Sequence, residues 1–96
     1  MRAETIYAIT DRDGRPRYVG RTAIRSLDRK LRLYRYKRNG TAAIFVWLRA
    51  NPDASIIELE HLPSGDDRRD GMSRERHWIR QMAAEGHALL NIMHMP

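Results

Sequence analysis

The chain has 96 residues, 42% hydrophobic and 31% charged, with 18 Lys and Arg against 12 Asp and Glu, a net charge of +6. That balance fits a folded domain rather than a disordered tail. The absence of cysteine excludes disulfides, thiol nucleophiles and thiolate zinc sites, and no apolar run approaches the ~20 residues of a membrane span.

A chain of this length is expected to form one domain, residues 1–96. Its opening, Met1-Arg2-Ala3-Glu4, leads straight into a strand pattern, so no signal peptide is expected and the expected location is cytoplasmic. The basic excess is mostly arginine, whose planar fork suits phosphate oxygens. It favours a nucleic-acid partner, although the same composition also suits a solvated surface with no partner. The positive charge concentrates in residues 12–38 and residues 53–70 are acidic, so one side of the protein should be basic.

Ile6-Tyr7-Ala8-Ile9 is a short apolar run of β-type residues. Asp11 to Pro16 follows, with Asp13-Gly14 as a reversal signal. Arg17-Tyr18-Val19 is the returning strand; Pro16 can stand at its start, and Gly20 ends it. Residues 5–22 thus read as a hairpin with one tyrosine in each strand. Strand alternation puts Tyr7 on a face with Ile9, and Tyr18 with Gly20.

From Ile24 to about Tyr36 the period becomes helical. Ile24, Leu27, Leu31 and Tyr34 form one apolar stripe, and Arg25, Arg29 and Arg32 form a cationic one. Ser26 or Thr22 caps the start, and Asn39-Gly40 is the stop. Thr41 is placed to cap a second helix running to about Ala50. Its residues 42–48 are apolar almost all round, so burial on most sides is expected. Asn51-Pro52-Asp53 breaks it.

Residues 55–62 alternate as a third strand, with Ile57 and Leu59 on one side and Glu58 and Glu60 on the other. Pro63-Ser64-Gly65 ends that strand. Residues 66–70 are a polar loop or a first helical turn. A third helix then runs to about Glu85, with Gly86 as its stop, and Met72, Glu75, Ile79 and Met82 share its apolar stripe. A short apolar run, residues 88–92, contains Asn91. The order β-β-α-α-β-α predicts an α+β fold: a small, mostly antiparallel three-stranded sheet flanked by three helices.

Glu75 carries the most information about chemistry. A carboxylate on an apolar helix face is costly to bury unless it is paired or bound to a cation. It is therefore either salt-bridged to one of the arginines or a ligand for Mg²⁺, which is held by one or two carboxylates with water and phosphate completing the shell. Tyr7 and Tyr18 are either ordinary half-buried strand residues or proton carriers in phosphate chemistry, which requires a neighbouring cation to lower a phenol pKa near ~10. Asn91 is either a satisfied structural amide or a positioning group. His61, His77, His87 and His94 have no metal-ligand spacing, and Trp47, Trp78, Phe45 and the methionines are expected in the core. No phosphate-loop, dinucleotide or nucleophile-elbow motif is present.

Thr5-Ile6-Tyr7, ten residues, then Tyr18-Val19-Gly20 resembles the double signature of GIY-YIG nucleases. An arginine-rich helix, the segment Glu75-Arg76-His77-Trp78-Ile79 and the late Leu89-Leu90-Asn91 follow in the family's order. The resemblance covers essentially the whole chain. It implies a three-stranded antiparallel sheet with flanking helices, and cleavage of DNA with one divalent metal, Mg²⁺ or Mn²⁺. By position it makes Tyr7 and Tyr18 the signature tyrosines, Glu75 the metal-binding glutamate and Asn91 the supporting asparagine.

Three positions depart from the pattern. Thr5 stands for the first signature glycine. The family's helix arginine falls on Arg29 counting from Gly20, or on Lys30 aligning the Leu27/Leu31 stripe; Arg29 is preferred for its fork. Tyr34 stands where a histidine is common. The expectation is a metal-dependent endonuclease. Glu75 holds the metal, Arg29 faces the phosphate, and Tyr7 takes the proton from water directly or through Tyr18. Asn91 orients one of these groups, and Arg21, Arg25, Lys30 and Arg32 hold the nucleic-acid backbone. Two alternatives stand beside it: a catalytically decayed nucleic-acid-binding module, or a nuclease subunit whose specificity comes from a protein partner or a second copy.

Overall fold

Ile6-Tyr7-Ala8-Ile9 does not alternate, which suits a strand buried on both faces. The computed structural model, which describes residues 3–36, 42–63 and 68–91, places this run in the middle of the sheet. Strand β1 (Glu4–Thr10) lies between β2 (Pro16–Thr22) and β3 (Ser55–Leu62), and both pairings are antiparallel. Thr5 to Thr10 are all buried. The helices are α1 (Leu27–Tyr36), α2 (Ala43–Ala50) and α3 (Arg68–Ala84). The order is β-β-α-α-β-α and the fold is α+β, as the sequence predicts.

The hydrophobic residues separate into two clusters, one on each face of the sheet. Ile6, Val19 and Leu62 pack with Ile79 and Met82 of α3 and with Leu89. Tyr7 and Ile9 pack with Ile44 and Leu48 of α2, with Ala54 and with Leu90; Tyr18 and the Leu27, Leu31 and Tyr34 stripe of α1 close over them. Helix α3 therefore covers one face, and α1 with α2 the other.

The β1–β2 turn is organised by Asp11. Its carboxylate accepts from the N–H groups of Asp13 and Arg15, and Gly14 donates to its carbonyl. The outer edge of β2 is covered by the chain after α3. Leu90 N–H donates to the Arg17 carbonyl (2.6 Å). The Asn91 amide accepts from Val19 N–H (2.9 Å) and donates to Val19 C=O (2.8 Å). Asn91 thus mimics one residue of a fourth strand on an edge that would otherwise stay unpaired.

Several boundaries differ from the sequence reading. Helix α1 starts at Leu27 rather than Ile24, because Ser26 is its cap: Ser26 Oγ accepts from Arg29 N–H and its carbonyl from Lys30 N–H. Thr22 Oγ1 accepts instead from Ile24 N–H, in a local turn before the helix. Asn39, Gly40 and Thr41 lie outside the described residues. Ala42 occupies the cap position of α2 with no side-chain cap bond, and Asn51 closes its other end by donating to the Trp47 carbonyl. Helix α2 is packed on most sides, with Ile44 and Leu48 buried and Ala43, Phe45 and Trp47 half-buried against the same cluster, but Val46 is exposed.

The expected alternation of β3 is also broken. Ile6 pairs with Glu60 but Tyr7 with Glu58, so Leu59 is an extra residue. Such a bulge reverses the facing of everything before it. Ile57, opposite Ala8, and Leu59 therefore keep their shared α3 side, with Leu59 packed against the cluster and Ile57 exposed, and it is Glu60 that parts from Glu58. Glu60 also serves that side, accepting from Arg74 Nε (2.8 Å) and Trp78 Nε1 (2.9 Å). On α3, Ile79 and Met82 are buried as expected but Met72 is exposed; Gly71 is the buried residue of that turn. Among the described residues no helix is long and apolar enough to cross a membrane.

Candidate active site

The hairpin register brings the two signature strands together with Tyr7 opposite Gly20 and Ile9 opposite Tyr18. All four side-chain positions are on the α1 face. Gly20 has no room for a Cβ, because the Tyr7 ring and hydroxyl occupy that place. Tyr7 is 1% exposed. Its hydroxyl shares a 2.6 Å hydrogen bond with the hydroxyl of Tyr34, which α1 lowers onto the sheet. Tyr18 meets the Tyr34 ring edge-on at 6.2 Å, and Phe45 of α2 stands 5.5 Å from it on another side. Three phenols therefore form one group.

Burial raises both signature tyrosines well above the ordinary phenol value, with Tyr34 adding to the effect on each. Neither ionises unaided near neutral pH. They differ in access. Tyr7 is sealed, whereas Tyr18 lines a cleft of about 400 Å³ with Glu75, Asn91, Ile44, Ile79 and Leu90. The structure thus brings three of the five expected catalytic residues, Tyr18, Glu75 and Asn91, to one cleft, with Tyr7 behind Tyr18.

Glu75 reaches the cleft from the first half of α3. Burial raises its carboxyl above the usual range, and Arg21 and Arg76 partly oppose this. Among the described residues it makes no ion pair, so the salt-bridge alternative has no partner there. A single half-buried carboxylate at the rim of a cleft suits Mg²⁺, whose remaining positions water and phosphate fill. No group of three or more His, Cys, Asp or Glu converges among the described residues.

The cations occupy distinct places. Lys30 Nζ sits 5.0 Å from the centroid of the Tyr34 ring. Round the helix, Lys30 is ~40° from Tyr34 whereas Arg29 is ~140° from it. Arg29 is accordingly exposed, as are Arg25 and Arg32. Arg21 is folded inward: its Nε pairs with Glu4 at 3.2 Å, and Gly71 leaves the space in which that pair rests on α3.

Tyr34 is the member of the group that the sequence marks only as a departure from the family pattern. Its signal was its place on the apolar stripe of α1, which forces its ring toward Tyr7. Glu4 and Gly71 gave no signal, since their roles depend on how closely α3 approaches the β1–β2 hairpin.

Two phenols on a hairpin, a carboxylate at the same cleft and a basic helix alongside make a site suited to a phosphodiester. The family model described as the GIY-YIG catalytic domain matches residues 4–88, and the chain belongs to this family of nucleases. The match stops short of Asn91. Comparison with curated proteins and with solved structures gave no match.

Proposed function

We propose that this chain is a divalent-metal-dependent DNA endonuclease that hydrolyses phosphodiester bonds. The observation that carries the reading is the shared cleft of Tyr18, Glu75 and Asn91, with the Tyr7–Tyr34 pair directly behind it. Glu75 would hold one Mg²⁺ or Mn²⁺, which when bound supplies Lewis-acid stabilisation to the phosphate.

Tyr18 is the phenol in reach of the attacking water and, as the phenolate, takes its proton at the phenolic oxygen. Burial keeps Tyr18 protonated on its own, so its use as a base requires positive charge beside it. Tyr7 and Tyr34 act behind it: their hydroxyl pair fixes the α1 face against the hairpin. Lys30, lying over Tyr34, is the phosphate-facing cation. Asn91 fixes Tyr18 indirectly, by locking the backbone of the next residue, Val19. The exposed Arg29 and Arg32 contact the DNA backbone, so binding weakens steeply with salt.

The test is purified protein on supercoiled plasmid, with and without Mg²⁺, beside Glu75→Gln. Mg²⁺-dependent nicking or linearisation that Glu75→Gln abolishes, with DNA binding retained, supports the proposal. A gel shift with no cleavage in any divalent metal refutes it in favour of a binding module.

A further inference from the structure

The α1 face of the sheet carries a second cleft, away from Glu75. In a regular strand Glu58 and His61, three residues apart, would point to opposite faces. The Leu59 bulge puts them on the same one: Glu58 is opposite Tyr7, and His61 opposite Thr5. Helix α1 begins only at Leu27, so residues 23–25 cross this end of the sheet without covering it. The result is a cleft of about 740 Å³, walled by Thr5, Ala23, Ile24, Arg25, Glu58 and His61. It adjoins the tyrosine group, since Thr5 is ~7 Å along β1 from Tyr7.

The lining has a definite chemistry. Glu58 offers only acceptors and Arg25 only donors. The Thr5 hydroxyl and His61 Nδ1 are engaged with each other at 3.4 Å. Ala23 and Ile24 add an apolar wall suited to the face of a flat ring. A phosphate here would meet the Glu58 carboxylate, which argues against an anion. A Watson–Crick edge with an amino donor directly beside a ring acceptor fits both Glu58 and Arg25; cytosine and adenine have it, whereas the guanine amine on that edge stands beside an N–H donor. Thymine offers no amino group and turns a carbonyl toward the carboxylate.

We propose that this cleft binds an unpaired cytosine or adenine of the DNA substrate, with Glu58 accepting from the exocyclic amine and Arg25 donating to the ring acceptor. The inference rests on the nuclease reading for its substrate class, but its test does not need cleavage. Fluorescence anisotropy is measured without divalent metal on labelled dC, dA and dT oligomers, for the parent and Glu58→Ala. The parent should bind dC and dA about tenfold more tightly than dT. Glu58→Ala should bring the ratios near one, with an unchanged thermal melt because Glu58 is exposed. Comparing dC with dT holds ring size constant. Equal affinities in the parent, a preference that survives Glu58→Ala, or no binding at all overturns the inference. A protein that cuts plasmid without base preference loses this cleft and keeps its nuclease assignment.

Discussion

The ring of Tyr7 lies over the backbone of Gly20, its partner across the β1–β2 ladder, so closely that no Cβ fits between them. The two signature motifs are thereby one packing unit, with the glycine of the second making space for the tyrosine of the first. Gly20→Ala should force the Tyr7 ring away from Tyr34 and cost about 1–3 kcal/mol, in the range of overpacked cores. Urea unfolding measures this. Parent-like stability would mean that the ring shifts freely and that the close approach does not constrain the site.

In its proposed role Glu75 trades stability against metal binding. Burial raises its folded pKa above the unfolded value, so the fold favours the neutral acid. Its contribution is fully present below the unfolded pKa and is lost as pH rises through the folded one. At neutral pH the ionised carboxylate therefore destabilises the protein. Glu75→Gln should raise the melting temperature at pH 7–8, by no more than a few degrees for a half-buried carboxyl. The gain should shrink in acid, where the parent carboxyl is also neutral. A melting temperature lowered equally at all pH values would mean that Glu75 is held by a favourable partner instead.

Most of the fold is legible in the sequence because the sheet and the helix stripes rest on local periodicity. The hairpin, the Leu27–Leu31–Tyr34 stripe and the Gly86 stop are all local signals. What fails is non-local. The Leu59 bulge arises from how β3 meets β1, and nothing in residues 55–62 alone marks it. The exposure of Met72 reflects the close seating of Gly71 on the Glu4–Arg21 pair. In the site, residue types were readable but not their access to solvent. Tyr7 and Tyr18 look equivalent in sequence, yet only Tyr18 lines the cleft, because α1 seals the other with Tyr34.

That difference should separate the two signature tyrosines kinetically. Tyr18→Phe should slow single-turnover plasmid cleavage by about 100-fold or more, the scale of a lost proton acceptor. Tyr7→Phe removes the partner of the Tyr34 hydroxyl and should cost about 1 kcal/mol of stability, with a smaller loss of rate that Tyr34→Phe reproduces. A Tyr7→Phe enzyme slower than Tyr18→Phe would mean that water reaches the buried phenol and that Tyr7 carries the proton.

Lys30 and Arg29 are adjacent in sequence and divergent in space, so their variants should fail differently. Lys30 lies over the Tyr34 ring, on the side of the helix that faces the hairpin. Arg29 is exposed beyond it. Lys30→Ala should lower the cleavage rate at saturating DNA, as loss of charge beside the reacting phosphate does. Its effect on affinity should be slight. Arg29→Ala should leave the saturated rate intact, weaken binding, and reduce the slope of log affinity against log salt by about 1. Cleavage rates at saturation and anisotropy titrations over a salt series give both quantities. The reverse pattern, with Arg29→Ala losing rate and Lys30→Ala losing only salt-dependent affinity, would require α1 to rotate on binding DNA and would restore Arg29 as the phosphate-facing cation.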